Sequence, residues 1–167
     1  NGPLNSDDFY QIQQQATNLI SIALTNATIE SLPENFFYER AALLDIKLPA
    51  TLKSNGRYAF FRCLWVTQIT IPEGVTIVGD YAFNDCISLK EIELPTTLTD
   101  IKNGAFQNCW SLASIQIPDN VTTISQSSFY HCTSLIQVKF PAKLQSISNS
   151  AFQECSALTK INLPKGL

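Results

Sequence analysis

Methionine is absent from this chain and histidine occurs once, at His131. Neither lack is neutral. One histidine, with no Cys-x-x-Cys pair, leaves nothing from which to assemble a clustered zinc site. The missing methionine, even at position 1, is what a trimmed or excised fragment would show. Charge is sparse: 15% of residues are charged, the formal net charge is −3 and the pI is about 5.0. No basic cluster exists to neutralise phosphates, so nucleic acid is not an expected partner. No run of like charge suggests a polybasic membrane anchor. Apolar stretches are short and interrupted, so no segment reads as inserting directly into a membrane. A Gly-x-Gly-x-x-Gly or phosphate loop is missing, and no nucleophile–base motif surrounds His131, which sits where other turns carry Asp85 or Asn108. No cofactor and no catalytic residue is predicted. What remains is a 45% hydrophobic chain of 167 residues, enough for one sizeable core.

That core is periodic. Prolines fall at Pro49, Pro72, Pro95, Pro118, Pro141 and Pro164, each 23 residues after the last. Phe60, Phe83, Phe106, Phe129 and Phe152 keep the same interval, as do Cys63, Cys86, Cys109, Cys132 and Cys155. Apolar columns run through Val66, Leu89, Leu112, Leu135 and Leu158, and through Ile69, Ile92, Ile115, Val138 and Ile161. Columns in register over five copies without an insertion are the signature of a solenoid, whose copies bury their apolar sides only by stacking. One step earlier, Ile29, Leu32, Phe37, Leu43, Ile46 and Leu48 form a degenerate copy, with Arg40 in the cysteine column and Asn26 in the proline column.

In one turn, Glu91-Ile92-Glu93-Leu94 alternates polar and apolar residues, the period of a strand. Pro95 ends it, having no N–H to donate. Leu98 and Ile101 then point inward, and Ala105, Phe106 and Cys109 return the chain at a spacing that suits a short helical or 3₁₀ turn. Successive strands are expected to pair in one parallel sheet, at about 4.8 Å spacing. Fully burying each large side chain contributes roughly 1.5–3 kcal/mol.

The motif P-x-x-[LV]-x-x-[IV]-x-x-x-A-F-x-x-C-x-x-L-x-x-I-x-[IL], clearest from Pro72 through Phe83 and Cys86 to Leu94, resembles the BspA-type leucine-rich repeat. Asn55, Ser128 and Val66 are departures from it. The resemblance covers residues 27–167. It implies an α/β repeat solenoid: a right-handed horseshoe with a parallel sheet on its concave side. It further implies a non-catalytic adhesion-type module, on the cell surface or secreted, whose partner is a host matrix or cell-surface protein. A structural spacer within a longer surface protein is the alternative. A glycan-binding module is a third reading, weakened because the concave side has no aromatic row.

The predicted organisation has residues 1–26 as a linker followed by a capping helix, and 27–167 as the solenoid. That solenoid comprises the degenerate copy, five full copies over 49–163 and the start of another at 164–167. The helix is read over Ser6 to Leu24, from a capping hydroxyl at Ser6, acids at Asp7 and Asp8, and apolar residues Phe9, Ile12, Ala16, Leu19, Ile20 and Ala23. The four residues from Pro164 match the opening of a further turn, and continuation of the repeats is expected.

Candidate ligand-binding residues are those the repeat leaves free on the concave face. They are Gln68 and Thr70, Glu91 and Glu93, Ser114 and Gln116, Gln137 and Lys139, and Lys160 and Asn162, preceded by Asp45 and Lys47 in the degenerate copy. Trp65, Trp110 and Tyr130 are off-consensus aromatics on the return side, open to a role at an interface or to local packing. The cysteines read as small buried packing residues with free thiols, one per turn, side by side rather than facing for a disulfide. Asn26 and Asn120 head N-glycosylation sequons.

Overall fold

The computed structural model describes residues 6–15, 17–165 and 167. The linker expected over 1–5, Ala16 of the expected helix and Gly166 of the terminal stub lie outside the described residues. The Ser6 cap and the Asp7 charge likewise rest on side chains that are not described.

Two strand columns run along the molecule. The first holds β1 (Ser21–Ala23), β3 (Asp45–Lys47), β5 (Gln68–Thr70), β7 (Glu91–Glu93), β9 (Ser114–Gln116) and β11 (Gln137–Lys139). The second holds β2 (Ser31–Leu32), β4 (Ser54–Asn55), β6 (Ile77–Val78), β8 (Asp100–Ile101), β10 (Thr123–Ile124) and β12 (Ser146–Ile147). All pairings are parallel. The fold is therefore a parallel β-solenoid with one short helix, α1 (Ser6–Gln15).

Four expectations are corrected. The continuous sheet is the second column, six strands in the order β12-β10-β8-β6-β4-β2, which the sequence reading left without strands. The first column, expected to be one sheet, pairs as β1–β3, β5–β7 and β9–β11. Lys160 and Asn162 belong to no strand, since β11 bonds backwards to β9. The return segments are turns rather than helices, so the molecule is not α/β in the sense expected. Their backbone explains why. Asn35, Tyr58, Tyr81, Gly104, Ser127 and Ser150 form one column at positive φ, and Glu39, Arg62, Asp85, Asn108, His131 and Glu154 another. Two left-handed residues per turn prevent a helix from propagating.

The freed amides bond across turns instead. Tyr58, Phe60 and Arg62 donate N–H to the carbonyls of Asp80, Ala82 and Asn84 in the following turn. The same three positions repeat this in each turn through Ser127, Phe129 and His131, always toward the C-terminal neighbour.

Between the columns the interior is a set of ladders. Phe37, Phe60, Phe83, Phe106, Phe129 and Phe152 stack in sequence with ring centroids 4.7–5.4 Å apart. Leu52, Val75, Leu98, Val121 and Leu144 line the other wall. The five cysteines are buried and free. Each thiol also donates to the carbonyl of the phenylalanine one turn back, as from Cys86 to Phe60 at 3.1 Å and from Cys109 to Phe83 at 3.2 Å. The cysteine column thus gives the phenylalanine carbonyls from Phe37 to Phe129 a second partner besides filling space. Burial pushes the Cys63 thiol up to about 12 and holds Cys86 and Cys109 well above the usual thiol range.

At the N-terminal end α1 stops at Gln15, well short of Leu24. Residues Ser21–Ala23, read as helix, are instead strand β1, pairing Ser21 with Asp45 and Ile22 with Ile46. That register is 24 residues, not 23, and so falls outside the repeat interval. Helix α1 lies against the first turn. The Phe9 ring meets Phe36 edge-on at 5.0 Å, and Gln13 Nε2 donates to the Asn35 carbonyl at 3.2 Å. Arg40, which replaces cysteine in this turn, bonds the Gln13 carbonyl.

Candidate functional site

The polar positions of the first strand column come together as expected. The burial alternation exposed–buried–exposed in β3, β5, β9 and β11 puts the central apolar residue inside and its two neighbours outside. Strand pairing then aligns them across turns: Gln68 beside Glu91, Thr70 beside Glu93, Ser114 beside Gln137, and Gln116 beside Lys139. Their mutual bonds are few and exposed. Thr70 Oγ1 donates to Glu93 Oε2 at 3.0 Å, and Lys139 Nζ reaches Gln116 Oε1 at 3.5 Å. The face is indented. A depression of about 550 Å³ lies over Asp45, Lys47, Gln68, Thr70, Glu91 and Glu93. Another, of about 440 Å³, is lined by Gln137, Lys139, Lys160 and Asn162. The N-terminal depression therefore carries three acids beside Lys47, and the C-terminal one two lysines and no acid. Exposed ion pairs contribute little to stability, so these charges are available to a partner.

The three singled-out aromatics separate. Trp65 is 57% exposed and has no ring partner among the described residues. Trp110 is 44% exposed and meets the His131 ring at 6.0 Å. Tyr130 is engaged locally: its hydroxyl donates to Glu154 Oε1 at 2.8 Å, and that carboxylate raises its pKa. Nothing brings the two tryptophans into one site. His131 belongs to a ladder of side chains at the second positive-φ column. Asn108 Nδ2 donates to Asp85 Oδ1 at 2.7 Å, and Asn108 Oδ1 lies 3.2 Å from His131 Nδ1. Glu154 lies 3.9 Å from His131 Nε2. Among the described residues no group of three or more histidine, cysteine, aspartate or glutamate side chains could hold a metal. No described helix is long and apolar enough to cross a membrane. Asn26 is exposed, and Asn120 Nδ2 donates to the Thr96 carbonyl at 2.9 Å.

A second cluster escaped the sequence reading. Tyr38 stacks on Phe61 at 4.9 Å, and Tyr58 stacks on Tyr81 at 5.3 Å. The two pairs meet at nearly right angles, with Tyr58 edge-on to Phe61 at 5.4 Å. With Glu34, Asn35 and Asn84 these rings line a cleft of about 650 Å³ on the return side. Its signal was present in the columns. Positions 58 and 81 carry tyrosine where later turns carry Gly104, Ser127 and Ser150, and positions 38 and 61 are aromatic where Asn84 and Gln107 follow.

The comparisons agree with this geometry. A crystal structure of a leucine-rich repeat protein from Bacteroides ovatus is 30% identical with a TM-score of 0.82, over 90% of this chain and 41% of that one. The chain thus spans less than half the length of that relative. A Treponema pallidum (T. pallidum) leucine-rich repeat protein is 24% identical with a TM-score of 0.74, over 83% of this chain and 78% of its own. A leucine-rich cell surface protein from Faecalibacterium prausnitzii shares the fold at 19% identity and a TM-score of 0.53, over 91% of this chain and 62% of its own. No curated protein matches the chain. The model of the BspA-type leucine-rich repeat region matches residues 8–76 and 54–167 in six copies, and the chain belongs to that family.

Proposed function

We propose that the chain is a non-catalytic protein-recognition module, exposed on a cell surface or secreted, which binds through its first strand column. The carrying observation is the alignment of Gln68, Thr70, Glu91, Glu93, Ser114, Gln116, Gln137 and Lys139 on one indented face. Solvation alone requires polar residues there, but not an excess of acid toward one end and of lysine toward the other. Such a face suits a partner of complementary pattern. In this reading the face is the concave side of a right-handed horseshoe, and α1 is the cap that covers the apolar end of the first turn. Family membership favours a matrix or cell-surface protein of a host as the partner. The adhesion role is an analogy of fold rather than a site derived from chemistry.

The test is saturable binding to a panel of purified extracellular-matrix proteins, with the triple variant Glu91→Lys, Glu93→Lys, Lys139→Glu measured beside the parent. Binding that the variant loses establishes the face. Binding by neither protein, or equally by both, overturns the assignment.

A further inference from the structure

We propose that the aromatic cleft on the return side binds a neutral saccharide ring, independently of the strand face. Four observations converge on it. The repeat does not ask for these aromatics, since glycine and serine follow Tyr58 and Tyr81 in later turns, and the column of Tyr38 and Phe61 continues as Asn84, Gln107, Tyr130 and Gln153. Tyr58 and Tyr81 sit at φ 54°, the left-handed conformation that this position holds in every turn, and a bulky side chain adopts it at a cost that glycine avoids. The neighbouring turn is shaped around them: a Cβ on Gly104 would lie 2.4 Å from the Tyr81 ring, so only glycine leaves that ring its place. Finally, Asn84 is 5% exposed and lines the cleft, setting a carboxamide in its wall.

The donor set selects the ligand. Aromatic ring faces are electron-rich and attract the C–H face of a pyranose. The Asn84 carboxamide offers a donor and an acceptor, and the Glu34 carboxylate accepts. Hydroxyl groups, which donate and accept at once, match both. A proline-rich peptide supplies carbonyl acceptors but no backbone N–H at its prolines, and leaves Glu34 with nothing to accept. A cation is disfavoured because Arg57 already lies over the Tyr58 ring, 4.6 Å from its centroid. The volume, about 650 Å³, falls in the range of small-ligand sites, roughly 300–1,000 Å³.

The experiment is an array of neutral glycans probed with the chain, followed by titration of the tightest soluble oligosaccharide into the parent, Tyr38→Ala and Asn84→Leu. Tyr38 is exposed enough for truncation to leave the fold standing, and Asn84→Leu keeps volume while removing the amide. Circular dichroism melts confirm that each is folded. A decaproline peptide and the strand-face triple variant complete the set. Binding weakened at least tenfold in both cleft variants, but unchanged in the triple variant, is the expected result. No glycan bound, glycan binding indifferent to Tyr38 and Asn84, or decaproline bound in place of glycans would each overturn the proposal.

Discussion

Tyr58 and Tyr81 hold the same place in their turns as Ser127 and Ser150, and Phe61 the same place as Gln107 and Gln153. The N-terminal half of the return side thus carries four rings packed on one another, while in the C-terminal half these two columns hold only Tyr130 among polar residues and glycine. Beneath both halves the interior is unchanged: the same phenylalanine ladder, the same thiol on the same carbonyl. The difference shows that stacking constrains only the inward columns, so the outward ones are free to diverge from turn to turn. The positive-φ column shows it most clearly, because its backbone is constant while its side chain ranges from glycine to tyrosine.

This comparison can be broken most severely from inside. Phe83→Ala removes one ring from a fully buried stack and is expected to cost about 3–5 kcal/mol of stability, read from denaturant unfolding. The loss should affect both halves in one transition; separate transitions for the two halves would show that the ladder does not couple them.

Gly104→Ala tests the boundary between the halves. Its Cβ would strike the Tyr81 ring, and its φ of +59° is unfavourable for alanine. A destabilisation of about 2–4 kcal/mol is expected, combining overpacking with left-handed strain. A change under 0.5 kcal/mol would mean that Tyr81 moves freely and that the cleft is not built.

Ser127→Gly is the smallest effect. It occupies the same backbone position at φ 54° with no ring to lose. Relief of left-handed strain, offset in part by the greater freedom of the unfolded glycine, should raise stability by about 0.5–1 kcal/mol in a thermal melt. A decrease would argue against strain in that column, and against reading the tyrosines as placed there at a cost.

The interior was legible in the sequence because each ladder repeats one residue type at one interval. Pro95, Phe106 and Cys109 needed only counting. The first strand column was legible through the alternation of Glu91, Ile92, Glu93 and Leu94. The second column was not: strands as short as Ile77–Val78 present no alternation, and only pairing to the neighbouring turn makes them strands. Strand β1 was missed because a single extra residue shifts Ser21 out of register with Asp45, while Leu19, Ile20 and Ala23 extend the helical spacing of Phe9 and Ile12. The cleft was hidden for another reason. Tyr38, Phe61, Tyr58 and Tyr81 come from three turns, and no single copy contains the site.

The return segments bond in a direction of their own. At the phenylalanine and the two left-handed positions the amides donate to the following turn, whereas beside the second strand column Lys53, Gly56, Thr76 and Lys102 donate back to the preceding one. Each turn is therefore tied to both neighbours by bonds of opposite sense on its two walls, so removing one turn would strand carbonyls on one side and amides on the other.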